Sequence, residues 1–311
     1  MDALTIGDVR AASRRIAGSV RRVAVAGDGS THLALEFLQH TGTYKARGAQ
    51  NFVRAHLESG ALPKAGITIA SGGNAGLACA WAAARHGIVA TVFVPASAPR
   101  LKVDRLRAYG ADVRLEGADY GDALTACNEF AAHTGALVSH AYDHPLIAAG
   151  AGTLMDEIRD RLPDVEVVVV AVGGGGLFSG VATVARHYGI VTVAVEPRGS
   201  RALNAAVEAG HPVDVPVDSV AADSLGARRA SSTALRAAQH DGVHSICVSD
   251  DDIVRARRNL WEDKRIVVEH GAATALAGLH DPEAAGVVDG RTTCVVLCGA
   301  NTNPADVAAE A

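Results

Sequence analysis

The sequence predicts an α/β protein of two domains, each with a mostly parallel, twisted sheet flanked by helices. Three observations lead there. Short apolar runs alternate with segments of helical spacing along nearly the whole chain, which is the pattern of repeated βα units. The run VEVVVVAV at Val165–Val172 is almost continuously apolar, as a strand covered by helices on both faces must be. The 311 residues are 49% hydrophobic but only 4% aromatic, so the chain is long enough for two cores, filled by Ala, Val and Leu rather than by rings.

Thr5 and Asp8 form an N-cap pair, and Ile6, Val9, Ala12, Ile16 and Val20 recur at helical spacing after it, predicting a first helix. The turn-rich GDGS joins Arg22–Ala26 to His32–Phe37 as a hairpin. A helix follows over Lys45–Leu57. Strand-like runs then occupy Gly66–Ala70, Val89–Val94, Asp112–Leu115 and Leu137–Ser139, separated by helices over Ala75–His86, Leu101–Tyr109 and Gly121–His133. The second half repeats the alternation: strand Val165–Val172, helix Leu177–Tyr188, strand Val191–Glu196 and helix Arg201–Ala209. An irregular stretch from His211 to Ser219 leads to helices over Ser231–Gln239, Asp250–Asp263 and Gly271–Leu279, and to a last strand, Thr293–Leu297. No internal repeat or low-complexity linker interrupts this order, so the second domain is expected as an insertion: 66–143 inside a large domain of 1–65 and 144–311.

A net charge of −5 argues against a nucleic-acid partner or an anionic membrane surface. Val167–Ala185 carries no charge, but Gly173–Gly176 interrupt it, so it divides into strand, loop and helix rather than spanning a membrane. The first 22 residues mix acids with five arginines, which gives no secretory signal and an expectation of a cytoplasmic protein. Five cysteines without a CxxC pair read as reduced thiols, mostly small buried hydrophobes.

Three short segments carry candidate chemistry. Gly173–Gly176 lie between a strand and a helix, where bare backbone N–H groups and the helix N-terminus can wrap an oxyanion; a flexible turn is the plainer reading. The spaced glycines of a dinucleotide fingerprint and the GK[ST] of a P-loop are absent, which favours a small phosphorylated cofactor over a nucleotide. Ser71–Gly72–Gly73–Asn74 offers N–H groups, a hydroxyl and a carboxamide to a carboxylate or a ring hydroxyl, although capping of the next helix would also explain Asn74. Lys45, in TGTYKARG, sits at a helix start where a cation is mildly disfavoured, and its amine can condense with an aldehyde.

Taken together and in this order, TYKARG, SGGNAG and VGGGGLFSG resemble the signature set of fold-type II pyridoxal-phosphate enzymes, the tryptophan synthase β-like group, and specifically the serine/threonine dehydratases. The likeness runs from about Leu4 to Pro304 through AYDHPLIAAGAGT, and SVAADSLGARR, EDKRIVVEHGA and VVLCGAN bring it nearest the serine dehydratase branch. The resemblance implies that Lys45 binds the cofactor aldehyde covalently, with further cofactor contacts from Tyr44, Asn74, Gly173, Gly174, Gly175, Gly176, Leu177, Gly226 and Cys298. It assigns the substrate carboxylate to Ser71, Gly72, Asn74 and Ala75. At the position beside the ring nitrogen, a neutral Cys298 thiol cannot stabilise a pyridinium as an aspartate would, which suits rapid loss of a β-substituent. A cation site is implied at Glu196, with main-chain oxygens near Ser200, Leu225 and Ala227. Because Ala202 stands where relatives carry an acid or serine, that site would take potassium or another monovalent ion; Glu196 hydrogen-bonded at a strand end is the alternative.

The implied activity is pyridoxal 5′-phosphate-dependent elimination of water from L-serine and/or L-threonine, giving pyruvate or 2-oxobutyrate and ammonia. Lys45 would be the general base and the cofactor phosphate the acid for the leaving hydroxyl. A small amino-acid substrate and a homodimer belong to the same expectation. Competing readings are a β-replacement enzyme of the cysteine synthase type, a racemase, or a non-catalytic metabolite-binding protein. Racemisation is disfavoured because Gly72 stands where serine racemases carry a second serine. Tyr44 replaces a usual Phe and His270 a usual Pro, while His140 and His144 flank a loop expected at the domain junction.

Overall fold

Two sheets, with ten strands among the described residues, organise the computed structural model, which describes residues 3–309. The strands are β1 (Val25–Asp28), β2 (Thr31–Ala34), β3 (Ile67–Ala70), β4 (Ala90–Val94), β5 (Asp112–Leu115), β6 (Leu137–Val138), β7 (Val167–Ala171), β8 (Val191–Pro197), β9 (Val243–Val248) and β10 (Thr293–Val296). The larger sheet has the order β1-β2-β10-β7-β8-β9 and the smaller β5-β4-β3-β6. Only the β1–β2 hairpin is antiparallel; every other named pairing is parallel.

Burial follows the sequence pattern. Every residue of β3, β4, β7 and β10 is buried, because helices cover both faces of a parallel sheet. The large core gathers β7, β8 and β10 with Leu154, Met155 and Ile158 of the helix Pro145–Arg161 and Phe178 and Val181 of the helix Gly176–His187. All four strands of the small sheet lie within Ile67–Val138. Its core nonetheless takes in Ala46, Phe52 and Val53 of the helix Lys45–Glu58, together with Ile147. The helix that begins at Lys45 is therefore apolar cement beneath the small sheet as well as a neighbour of the large one.

Most expected elements are present within a residue or two. The hairpin strands are shorter than the runs that predicted them, and their turn is confined to Gly29–Ser30, between paired Asp28 and Thr31. Strand β9 and the helices Pro145–Arg161, Ala222–Leu225, Pro282–Val288 and Pro304–Ala309 are among the elements that the sequence pattern did not predict. No helix among the described residues is long and apolar enough to cross a membrane. The five cysteines are free.

In open parallel sheets ligands bind beyond the carboxyl ends of the strands. Ser71 follows β3, Gly173 follows β7 by two residues and Cys298 follows β10 by two. The topology thus delivers three distant loops to one region.

Candidate active site

Lys45 is placed by its neighbours on both sides. Thr41 and Gly42 adopt left-handed φ values of 62° and 73°, a tight turn that a threonine adopts only at a cost of about 1–3 kcal/mol. Asn301 Nδ2 holds that turn by donating to Thr41 O at 2.8 Å. Thr43 then bridges to Gly299, and Tyr44 N donates to Cys298 O at 3.0 Å. The Lys45 Nζ donates to Tyr44 Oη at 2.8 Å and to Ala141 O at 3.0 Å. Two residues on, the fully buried Arg47 is gripped by Glu36 (2.7 and 3.0 Å) and Glu157 (2.9 and 2.9 Å). Burial opposes its charge, but those carboxylates outweigh burial and hold the guanidinium above its ordinary pKa. Tyr44 and Arg47 pin the first turn of the helix from both sides of the lysine.

Three of the four glycines after β7, Gly174, Gly175 and Gly176, are required by sterics. A Cβ on Gly174 would lie 2.3 Å from the Tyr142 ring, and one on Gly175, whose φ is +95°, would lie 2.2 Å from Ala234 Cβ. Gly174 O accepts from Ser231 N at 3.0 Å, and Tyr142 Oη donates to Arg229 O at 3.1 Å. The helix Gly176–His187 starts here without a side-chain cap, so its first N–H groups are free for an anion.

Asn74 does not cap the helix it begins. The N-cap is Gly73, which makes no side-chain cap bond. Instead, Asn74 Nδ2 donates to Glu269 Oε1 and Oε2 at 2.9 and 3.1 Å, and its Oδ1 accepts from Asn301 Nδ2 at 2.8 Å. Burial raises the pKa of Glu269 against the opposing pull of Asn74 and Lys45. Cys298 is buried, and burial, with Glu269 adding to it, drives its thiol far above the ordinary range; it is a neutral group.

These parts line one cavity of about 770 Å³. Lys45, Tyr44 and Cys298 meet there with Ser71, Gly72, Asn74 and Ala75 on one wall and Gly173–Gly176, Leu177 and Gly226 on the other. Leu225 and Ala227 also reach it. Glu269, Tyr142, Arg228 and Arg229 also line it and were not foreseen as site residues, although each falls inside a segment that carries the family resemblance.

The family model for pyridoxal-phosphate-dependent enzymes matches residues 23–299. The chain belongs to that family. It is 35% identical to a serine dehydratase-like protein of Homo sapiens over 86% of this chain and 84% of that one. It is 32% identical to an L-threonine ammonia-lyase of Thermotoga maritima over 96% and 76%. A biosynthetic L-threonine dehydratase of Salmonella typhimurium is 35% identical over 85% of this chain, but the chain spans only about half (52%) of that enzyme's length. In fold the chain is similar to maize serine racemase, with a TM-score of 0.92 at 28% identity over 99% of this chain and 97% of that one.

The cofactor is pyridoxal 5′-phosphate, and the residues present fit it. The amine of Lys45 suits an aldehyde, the glycines clear space that any Cβ would fill, and the uncapped helix end suits a phosphate. Glu196 lies elsewhere. Its Oε1 accepts from Leu203 N at 2.8 Å and its Oε2 from Asn204 N at 2.7 Å, capping the helix Ala202–Ala209. Ser200 Oγ donates to Leu225 O at 2.7 Å, and no cluster of three acidic, His or Cys ligands occurs among the described residues. Glu196 is thus hydrogen-bonded at the end of its strand through both carboxylate oxygens. His140 and His144 serve the chain turn: each Nδ1 accepts backbone N–H groups, from Tyr142 and Asp143 and from Leu146 respectively. Burial, helped by His56 and His140, lowers His144 to about 4.

Proposed function

We propose that this enzyme is an ammonia-lyase that eliminates water from L-serine and/or L-threonine, releasing ammonia and pyruvate or 2-oxobutyrate. One observation carries the reading: Lys45 Nζ, the loop after β3, the glycine cradle after β7 and the neutral Cys298 thiol share a single cavity. When bound, pyridoxal phosphate draws electrons from the α-carbon of the amino acid. Lys45 Nζ would hold the cofactor and, as a free amine, would serve as the base for the α-proton. Tyr44 Oη and Ala141 O keep that nitrogen in place through both roles. Ser71 Oγ and the N–H groups opening the helix Asn74–Ala84 grip the substrate carboxylate, which turns the α-hydrogen towards the lysine. Gly173–Gly176 with Leu177 would hold the phosphate, and Asn74, steadied by Glu269 and Asn301, would hold the ring hydroxyl.

Cys298 lines the far wall as an uncharged thiol, so no fixed charge stabilises electrons stored on the ring and loss of the β-hydroxyl is favoured. Racemisation is the second reading, supported by the likeness to maize serine racemase. Against it, Gly72 has no proton to give, and a Cβ there would stand 3.1 Å from Val94 Cγ1. A homodimer and a cytoplasmic setting belong to the same proposal.

The test is ammonia release by holoenzyme over a panel of L- and D-β-hydroxy amino acids, with product identification and with or without added thiol. Ammonia with 2-oxo acid from L-serine or L-threonine is expected. Thioether product without net ammonia, or D-amino acid as the main product, overturns the proposal.

A further inference from the structure

A second cavity, of about 390 Å³, lies at the opposite end of the helix that starts on the glycine cradle. The last turns of Gly176–His187 contribute Ala182, Arg186 and His187, the helix Ser232–Ala238 contributes Arg236, and Leu4 and Ile6 close the apolar side. Twelve helical residues at 1.5 Å each put it roughly 18 Å from the cradle.

The chemistry of this cavity is one-sided. Arg186, Arg236, His187 and His240 line it, and no Asp or Glu does among the described residues. Asp241 follows His240 along the chain but does not line the cavity, and Asp8 is spent on Thr5, accepting from both its N and its Oγ1. Arg186 Nη1 lies 2.6 Å from His240 Nε2, so its guanidinium leans on an imidazole rather than on an acid. Basic residues in the last turn complement the helix dipole, which accounts for Arg186 and His187. The dipole of its own helix accounts in the same way for Arg236, which lies in that helix's last turn, but it leaves one of that side chain's donors unpaired. Its Nη2 donates to Thr233 Oγ1 at 3.2 Å, while its Nε is buried with no acceptor among the described residues. A buried guanidinium donor without a partner is costly, and the guanidinium as a whole, lining the cavity beside Arg186, suits a carboxylate or phosphate oxygen.

We infer that this cavity binds a small organic anion, its carboxylate or phosphate held by Arg186 and Arg236 and its aliphatic part resting on Leu4, Ile6 and Ala182. The volume of about 390 Å³ lies in the lower part of the range of small-molecule pockets.

Calorimetric titration of the holoenzyme with butyrate, hexanoate, butyl phosphate and inorganic phosphate tests the site. It is run beside Arg186→Gln and Arg236→Gln, neither of which lines the catalytic cavity. Saturable binding that weakens at least about tenfold in both variants, with cofactor absorbance and turnover unchanged, is the expected result. Tighter binding of the carboxylates or of the phosphates names the head group, and tighter binding of hexanoate than of butyrate confirms the apolar wall. Absence of saturable binding by every probe, or binding equally tight in both variants, overturns the inference. Arg186 is exposed, so its variant folds and decides the matter if Arg236→Gln does not.

Discussion

Asn74 and Glu269, 195 residues apart, are joined through both carboxylate oxygens, at 2.9 and 3.1 Å. Replacing Glu269 by Gln turns one acceptor into a donor that opposes the Asn74 amide, and leaving a buried polar group unmatched costs about 1–3 kcal/mol. Glu269→Gln is therefore expected to lower kcat/KM by roughly 10- to 100-fold, while Lys45 and the glycine cradle retain the cofactor. The pH profile separates this from a general loss of fold. With its pKa raised by burial, Glu269 protonates as pH falls through that raised value and wild-type activity declines. The Gln variant lacks that acidic limb.

Gly175 offers a test by paired substitution. Gly175→Ala meets two penalties, a left-handed φ that costs about 1 kcal/mol or more and a contact of 2.2 Å with Ala234 Cβ. Weaker cofactor retention is expected, read as faster loss of the visible cofactor band on dialysis. Ala234→Gly in the same chain removes the contact but not the φ strain. The double variant is expected to recover part of the retention; if it recovers none, the contact with Ala234 is not what makes glycine necessary.

Arg47 is a structural prediction with a functional readout. Arg47→Met leaves Glu36 and Glu157 facing each other without their cation, and breaking a buried ionic network in this way costs about 3–5 kcal/mol. For a chain of this size the melting temperature should fall by roughly 6–15 °C. Arg47→Lys should rescue little, since one ammonium cannot reproduce the forked contacts to two carboxylates. Thermal unfolding of both variants checks the order.

Glu196 gives stability a pH dependence of known sign. Burial lifts its carboxyl to about 8, against two N–H bonds that favour the charged form. Its folded pKa stands above the unfolded one near 4.5, so the folded state binds more protons between these values. Its contribution is present in full below about 4.5, and it is lost as pH rises to about 8. Glu196→Gln should remove that slope. Melting curves from pH 5 to 8 that fall equally steeply in the two proteins would show that Glu196 is not its source.

The βα alternation was readable because strands such as Val167–Ala171 are buried on both faces and announce it as unbroken apolar runs. Strand β9 was not readable: VHSICV alternates between buried and partly exposed positions at the edge of the sheet, and its polar residues masked it. The helix Pro145–Arg161 is buried over most of its first half, so its small apolar residues show no amphipathic period. Lys45 and the glycine cradle stood out because each lies in a continuous motif. Glu269, Tyr142 and Asn301 reach the site only through contacts across the fold, for which no local spacing exists. Arg47 was visible inside TYKARG, but nothing in a sequence distinguishes a solvated arginine from one clasped by two acids.

Strand β10 lies between β2 and β7, and the β1–β2 hairpin touches no other strand of the large sheet. The same late segment supplies Cys298 and Gly299, against which Tyr44 and Thr43 are pinned. During synthesis, at roughly 5–20 residues per second, the lysine therefore emerges many seconds before the strand that positions it. The hairpin and the lysine wait, without that partner, until Thr293–Gly299 has been made. Cofactor capture accordingly follows synthesis of β10, the clasp that joins the β1–β2 hairpin to β7, β8 and β9.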